Sequence, residues 1–109
     1  MSYVVEAGRG FDRRIKQLKK RYSSIANDFE RLLDELEEKG VVGTPLGKNC
    51  YKIRLAITAK GKGKSGGARV ITCVRVQAGV VTLLTIYDKS DWDTISDAER
   101  DQLLIENDL

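Results

Sequence analysis

The sequence contains no histidine and only two cysteines. The absence of His excludes His-based catalytic triads, the usual His zinc sites and the paired-His chemistry of many ribonucleases. Cys50 and Cys73 are too few for a disulfide scaffold and lack the spacing of metal ligands. Both lie in predicted strands, where a free Cys behaves as a small hydrophobic residue. We therefore expect no metal site and no cofactor, and the free thiols are consistent with a reducing cytoplasm.

Long apolar runs are also missing. No stretch approaches the roughly 18 apolar residues of a membrane span, and no signal peptide is recognisable. We therefore expect a cytoplasmic protein with no membrane partner. The hydrophobic residues, 41% of the chain, recur periodically, which argues against disorder. A length of 109 residues predicts one domain, 1–109, with a single core.

Carboxylates are absent from the middle of the chain. All 16 Asp and Glu residues lie outside residues 39–87, so the net charge of +3 conceals a strongly positive central stretch. Its basic residues are Lys39, Lys48, Lys52, Arg54, Lys60, Lys62, Lys64, Arg69 and Arg75. A positive field concentrated on one element attracts a polyanion, and nucleic acid is the commonest one.

Helical periodicity dominates the first third of the chain. An apolar stripe predicts a first helix over residues 11–22. A second helix is predicted from a serine cap at Ser23 or Ser24 to the stop signal Lys39-Gly40. The short connection between the two helices predicts an antiparallel pair.

Strand patterns follow a predicted loop over residues 41–49. The third strand of this region is apolar at almost every position, as is typical of a central strand covered on both faces. A capping box, Ser96-Asp97-Ala98-Glu99, opens a last helix. We predict an α+β fold with two N-terminal helices packed on a twisted antiparallel sheet, over the face of Tyr51, and a short C-terminal helix. The predicted strands are a short N-terminal strand over 2–6 and a three-stranded meander over 51–57, 68–77 and 80–87.

The glycine-rich turn KGKGKSGG, residues 60–67, resembles the end of a phosphate-binding loop. The Walker pattern requires a glycine where this chain has Thr58, and it joins a strand to a helix, so we reject that motif. Two interpretations remain. The turn is either a flexible hairpin kept soluble by its lysines, or a mobile basic arm that contacts phosphates through Lys60, Lys62 and Lys64.

A cationic cluster is predicted on the sheet itself. Lys52 and Arg54 share one strand face, Arg69 begins the neighbouring strand, and Arg75 shares the face of Arg69. Exposed charges on a half-buried sheet are common, but here no neighbouring carboxylate neutralises them, and like charges side by side cost energy. Uncompensated clustering favours an anion-binding site.

Aromatic and helical residues supply further candidates. Tyr87 either fills the core or stacks on a base, and it shares its strand parity with Lys89. Trp92 is expected to pack against the last helix. The basic faces of the first helix are either solvated or extend the contact with a polyanion, and they carry Arg13, Arg14, Lys16, Lys19, Lys20 and Arg21.

The segments YKIRLAI, GKGKSGGARVI and LLTIYDKS, followed by a capped helix, resemble the RelE/ParE superfamily of bacterial toxins, and most closely its HigB-like RelE branch. The resemblance covers essentially the whole chain and implies a RelE-like fold. It further implies a cytoplasmic toxin held inactive by a cognate antitoxin. RelE-type members cut mRNA in the ribosomal A site, whereas ParE-type members inhibit DNA gyrase.

The resemblance also implies site residues. Lys52 and Arg54 match the basic strand pair, Arg69 the arginine that begins the next strand, Lys89 the basic position after the third strand, and Tyr87 the aromatic of the YDK-like motif. The tyrosine that RelE places in its C-terminal segment and the histidine of some HigB-type members have no counterpart here.

Together these observations predict a metal-independent endoribonuclease that inhibits translation, with the antitoxin, the ribosome and mRNA as partners. Lys52 is the candidate base, Arg54 and Arg69 the phosphate clamp, and Tyr87 or Lys89 the acid. The alternatives are a ParE-like gyrase inhibitor without chemistry of its own and a non-toxic RNA-binding module. The predicted RNA-contacting residues are Lys60, Lys62, Lys64 and Arg75.

Overall fold

The structure is a computed structural model that describes residues 2–109. Among these residues no helix is long and apolar enough to cross a membrane. The elements are β1 (Val4–Ala7), α1 (Phe11–Arg21), α2 (Ile25–Lys39), β2 (Thr44–Gly47), β3 (Cys50–Leu55), β4 (Ala68–Arg75), β5 (Val80–Asp88) and α3 (Asp97–Glu106).

The strands form one five-stranded sheet in the order β1-β5-β4-β3-β2. The predicted α+β class, helix pair and meander are confirmed. One detail differs, because β1 runs parallel to β5 whereas all other neighbours are antiparallel. The helix pair and the strands β2, β3 and β4 separate β1 from β5 along the chain, so no hairpin turn dictates their relative direction.

The strand β2 lies inside the segment that we predicted to be a loop. It pairs with the first half of β3 through Thr44 and Pro45. Proline and glycine in a four-residue run suggest a loop, but proline is tolerated here because β2 is an edge strand. The turn between β2 and β3 has positive φ at both Lys48 (53°) and Asn49 (63°), as in a type I′ hairpin.

The helix pair packs on the sheet face that holds Tyr51, as predicted. Phe11 of α1 and Phe29 of α2 meet there with ring centroids 5.4 Å apart. Strand β5 is buried along almost its whole length. It is an interior strand between β1 and β4, as its apolar sequence predicted.

The helix α3 covers part of the opposite sheet face. The predicted capping box is present, with Glu99 N–H donating to Ser96 Oγ at 3.1 Å and Ser96 N–H donating to Glu99 Oε1 at 3.0 Å. Leu104 of α3 packs into a second apolar cluster with Cys50, Ile71, Cys73, Leu84 and Tyr87. The rest of this face, beyond the reach of α3, carries the candidate site.

Candidate functional site

Three predicted site residues lie in one row across three strands. Arg54 of β3 is opposite Arg69 of β4, and Arg69 is opposite Tyr87 of β5. Lys52 lies two residues before Arg54 and therefore on the same face, about 7 Å along the strand. The antiparallel meander thus brings together side chains that are up to 35 positions apart in the sequence.

Lys52 and Arg54 are the uncompensated part of this row. Lys52 is half-buried and Arg54 is exposed. Neither has a carboxylate oxygen within 4.0 Å anywhere in residues 2–109. Both line an open cleft of about 680 Å³ between α2, the start of β2, the outer edge of β3 and the glycine-rich loop. Arg31 and Lys64 also line it, so the cleft is predominantly cationic despite Asp28 and Glu35.

Arg69 occupies the predicted position but faces inward. Its side chain is only 3% exposed. Its guanidinium donates to the carbonyl oxygens of Lys64 at 2.9 Å, Ser65 at 3.1 Å and Ala68 at 3.1 Å, and lies 3.7 Å from Asp93 Oδ1. The expected fork presented to a phosphate is therefore not the arrangement in the structure. The guanidinium instead donates its hydrogen bonds to three carbonyl oxygens of its own strand and loop.

The glycine-rich loop is anchored to the rest of the fold by hydrogen bonds at both of its turns. Two short 3-10 turns, Thr58–Lys60 and Lys64–Gly66, give it regular structure. Lys60 at the first turn reaches Asp88 of β5 with Nζ 2.8 Å from Oδ1, and the side chain of Lys60 is only 10% exposed. The sequence suggested a flexible hairpin or a mobile arm with Lys60 as an RNA contact. Lys60 is instead engaged in a buried ion pair.

Asp88 is the centre of that anchor. It is fully buried, and it also accepts hydrogen bonds from Tyr22 Oη and from the backbone N–H and hydroxyl of Ser90, while Arg21 lies 3.2 Å away. Burial by itself raises the pKa of Asp88, but the hydrogen bonds from Lys60, Tyr22 and Ser90 outweigh it and hold the pKa well below its usual range. The group is therefore a carboxylate at neutral pH.

Asp28 of α2 anchors the start of the same turn. Its carboxylate accepts from Thr58 N–H at 2.9 Å, from Thr58 Oγ1 at 2.6 Å and from Ser24 Oγ at 2.8 Å. Burial works to raise the pKa of Asp28, yet these hydrogen bonds leave it below its ordinary value. The loop is thus fixed by two carboxylates, one near each side of its first turn, and by Arg69 at its second.

Tyr87 is buried, with its hydroxyl donating to the Asp93 carbonyl oxygen at 3.3 Å. Burial raises the pKa of Tyr87 to about 12, so the phenol is protonated at neutral pH. Trp92 stacks on its ring with centroids 5.2 Å apart and planes 22° apart. Trp92 was expected to pack against the last helix. In the structure it covers Tyr87 instead, and it occupies the ring face where a base was expected to stack.

The remaining predicted cations lie in two places. Lys62, Lys64 and Lys89 are exposed, and no carboxylate oxygen of the described chain lies within 4.0 Å of their ammonium groups. Lys89 follows β5, and its N–H donates to the Gly67 carbonyl oxygen at 3.0 Å beside the loop. Arg75 lies at the far end of β4, about 20 Å from Arg69 along the strand. It pairs with Glu6 at 3.1 Å and does not belong to the row.

Two residues that shape the site were not singled out from the sequence. Asp88 ends an otherwise apolar buried strand, and Asp28 lies on the apolar side of α2. A carboxylate inside an apolar pattern indicates a buried charge that needs a partner, and this signal was available. Within residues 2–109, no group of three or more His, Cys, Asp or Glu side chains is placed to hold a metal ion.

Solved structures of a bacterial toxin have a similar fold. The isolated E. coli RelE toxin matches with a TM-score of 0.56 and 19% identity, over 94% of this chain and 96% of that chain. A double mutant of E. coli RelE in the free state matches with a TM-score of 0.57 and 20% identity, over 98% and 95%. The same mutant in complex with an antitoxin RelBc peptide matches with a TM-score of 0.57 and 19% identity, over 94% of each chain. At this identity the likeness concerns the fold.

Sequence comparison supplies the family. No curated protein matches the chain significantly. The family model for the RelE toxin of the RelE/RelB toxin–antitoxin system matches residues 11–106, a range that includes every candidate site residue. The chain therefore belongs to the RelE toxin family and is the toxin of a toxin–antitoxin pair.

Proposed function

We propose that this toxin is an endoribonuclease that cuts mRNA on the ribosome and so inhibits translation. The observation that supports the proposal most is the pair Lys52 and Arg54. These two cations share a face at an open cleft, in a row of strand partners that continues through Arg69 to Tyr87. Neither has a carboxylate oxygen within 4.0 Å among residues 2–109. An anion-binding site requires such uncompensated charge.

The proposed reaction is attack of the RNA 2′-hydroxyl on the adjacent phosphate. Lys52 removes the proton from the nucleophile, Arg54 stabilises the charge that develops on the phosphate oxygens, and Tyr87 or Lys89 protonates the departing 5′-oxygen. Trp92 covers the ring of Tyr87, so Tyr87 acts through its hydroxyl and base stacking falls to the half-exposed Trp92.

Arg69 takes a positioning role in this proposal. Because its guanidinium holds the carbonyl oxygens of Lys64 and Ser65, it fixes the loop that presents Lys62 and Lys64. These two lysines, rather than Lys60 and Arg75, then contact the RNA backbone together with Lys89. Such contacts are independent of RNA sequence.

The ribosome supplies what this site lacks. Lys and Tyr are poor acid–base groups at neutral pH, so the free toxin should be slow. Holding the mRNA in an attack geometry can contribute roughly 7–11 kcal/mol, and we propose that the ribosome provides this orientation.

A cognate antitoxin is the proposed protein partner, with the cytoplasm as the shared compartment. The E. coli relative of the same fold has been solved with an antitoxin peptide. An acidic segment laid over Lys52, Arg54 and Lys64 would neutralise the cationic cleft. Growth arrest on expression of the toxin should be relieved by the open reading frame adjacent to its gene.

The test is cleavage of a reporter mRNA in a translating extract. Wild type should cut the transcript only while ribosomes engage it, and Lys52→Ala and Arg54→Ala should each lower the rate about 10²–10³-fold. Arg75→Ala is the matched control, because it removes a cation of the same sheet face that is paired with Glu6. Intact transcripts with wild type, or equal losses for all three variants, would contradict the proposal. A supercoiling assay with purified gyrase should show no inhibition, and inhibition would favour the ParE-like alternative.

A further inference from the structure

The two cysteines, which the proposed function does not use, are directly opposite each other on neighbouring strands. Cys50 of β3 is the register partner of Cys73 of β4, and both thiols are free. Both side chains belong to the apolar cluster beneath α3. The Cys50 thiol donates to the Lys48 carbonyl oxygen, with Sγ 3.6 Å from that oxygen.

The backbone pattern identifies which type of cross-strand site this is. Val74 N–H donates to the Asn49 carbonyl oxygen at 2.9 Å, so Asn49 and Val74 form a hydrogen-bonded pair. Hydrogen-bonded and non-hydrogen-bonded pairs alternate along an antiparallel ladder, so the adjoining pair, Cys50 and Cys73, is non-hydrogen-bonded. Cα atoms in such pairs are about 4.5 Å apart, within the range that a disulfide spans, and their side chains approach most closely.

We propose that Cys50 and Cys73 form an oxidative modification site, in which a peroxide converts the two thiols to a disulfide. This disulfide joins β3 to β4 two residues before Lys52. The inference does not depend on ribonuclease activity. It rests on the strand register, on the burial of both side chains in one apolar cluster and on the absence of any other cysteine with which either could pair.

Cys73 is the residue that reacts first. It is 4% exposed whereas Cys50 is fully buried, and the hydrogen bond from Cys50, aided by Arg75, lowers the pKa of the Cys73 thiol. Its thiolate attacks one oxygen of hydrogen peroxide, which breaks the O–O bond and leaves a sulfenic acid and hydroxide. Hydroxide takes up the proton that Cys73 lost. The Cys50 thiol then attacks the Cys73 sulfur, forming the S–S bond and releasing water, so two thiols and one peroxide yield one disulfide and two waters.

The disulfide should stabilise the strands that carry the cationic site. It would close the loop between residues 50 and 73, which contains the glycine-rich turn. A cross-link over a loop of that length should raise the Tm by about 10 °C. Dithiothreitol should restore the reduced Tm, because cross-strand geometry leaves some strain in the bond and makes it reducible.

The experiment treats folded wild-type toxin with a small excess of hydrogen peroxide. The thiol titre should fall from two to zero, the intact mass should decrease by two hydrogen atoms, and a non-reducing peptide map should show Cys50 linked to Cys73. The rate should not depend on protein concentration, because the second step is intramolecular. Cys50→Ala should accumulate a dimedone-reactive sulfenic acid at Cys73.

Several results would overturn the proposal. These are a titre that stays at two, a gain of oxygen without loss of hydrogen, disulfide-linked dimers on a non-reducing gel, and a Tm unchanged by oxidation. Because wild-type protein carries the main readouts, misfolding of Cys50→Ala would not obscure the outcome.

Discussion

Asp88 shows how much one side chain can organise in this molecule. Its carboxylate binds Lys60 of the glycine-rich loop, Tyr22 at the end of α1 and Ser90 after its own strand. Three segments that are distant in sequence therefore depend on one buried charge. Removing one partner of such a group is costly, because the other charge is left buried without compensation.

Asp88→Asn should lower the free energy of unfolding by about 3–5 kcal/mol at pH 7, because it leaves the buried Lys60 ammonium without a carboxylate partner. Since the pKa of Asp88 is held below its ordinary value in the folded state, its contribution is present above about pH 4 and is lost as the pH falls through the folded-state pKa. Urea unfolding between pH 7 and pH 2 should therefore show the difference between wild type and variant shrinking in acid. Asp91→Asn is the control, since Asp91 is 44% exposed and should cost no more than about 1 kcal/mol.

Tyr87→Phe removes the hydroxyl of Tyr87 and keeps its aromatic ring. The ring should still stack on Trp92, and the lost hydrogen bond to Asp93 is long at 3.3 Å, so the free energy of unfolding should change by less than about 1 kcal/mol. If Tyr87 is the general acid, mRNA cleavage on the ribosome should fall about 10²–10⁴-fold. Tyr51→Phe makes the same change on the opposite sheet face and should leave cleavage intact. Full activity of Tyr87→Phe would transfer the acid role to Lys89.

At the scale of elements, the glycine-rich loop is the segment whose structure differs most from what its composition predicts. Glycine and lysine predict flexibility, and the exposed lysines Lys62 and Lys64 fit that expectation. Asp28, Asp88 and Arg69 nevertheless tie both of its turns to α2, β5 and β4. At its end, a Cβ on Gly67 would lie 2.0 Å from the Leu55 carbonyl oxygen, so only glycine fits this approach to β3.

Hydrogen exchange should resolve the loop into a protected and an open part. The amides of Thr58 and Ala59 donate to Asp28 Oδ2 and Ser24 Oγ, each at 2.9 Å, and should exchange more slowly than those of Lys62 and Gly63. Asp28→Ala should speed exchange at Thr58 roughly tenfold to a hundredfold, as expected when a hydrogen bond to a charged group is lost.

Asp34→Ala provides the control for that measurement. It makes the same substitution at an exposed position of α2, away from the loop. Uniformly fast exchange across the loop in wild type would mean that it is not anchored in solution. Equal effects of the two substitutions would mean that α2 stability, and not the Asp28 carboxylate, protects Thr58.

At the scale of the whole molecule, tertiary ion pairs sort the cations into two classes. Lys48, Lys60 and Arg75 are each paired with a carboxylate from another part of the chain. Lys62 and Lys64, with Lys52 and Arg54, are not so paired within residues 2–109. The modest net charge of +3 thus leaves one end of the sheet strongly positive.

This sorting predicts different salt dependences for two double variants. Lys62→Gln with Lys64→Gln should reduce the slope of log affinity for single-stranded RNA against log salt by about 1.4, or 0.7 for each lost phosphate contact. Lys48→Gln with Arg75→Gln removes the same charge from paired positions and should leave the slope unchanged. A titration by fluorescence anisotropy measures both. Equal slopes for the two variants would contradict a localised interface.

Much of the fold could be read from periodicity. Hydrophobic spacing placed both long helices and the meander, and the capping box at Ser96 placed the start of α3. Periodicity did not predict β2, because a four-residue edge strand containing Pro45 has too few residues to show an alternating pattern. It also did not predict that β1 runs parallel to β5, because strand direction depends on pairing and not on periodicity. Strand parity placed Lys52 and Arg54 on one face, whereas the row of Arg54, Arg69 and Tyr87 follows from the strand register of the structure.

The sequence by itself determined the family, the helix pair over a sheet, and the concentration of cations in a stretch without carboxylates. Only the tertiary structure decided which of those cations are free. Asp28 and Asp88 stand before and after that stretch, and folding brings them onto the loop within it. Charge compensation depends on distance in space, and a sequence records distance only along the chain, so Lys60 and Arg69 could be assigned their anchoring roles only once the chain had folded.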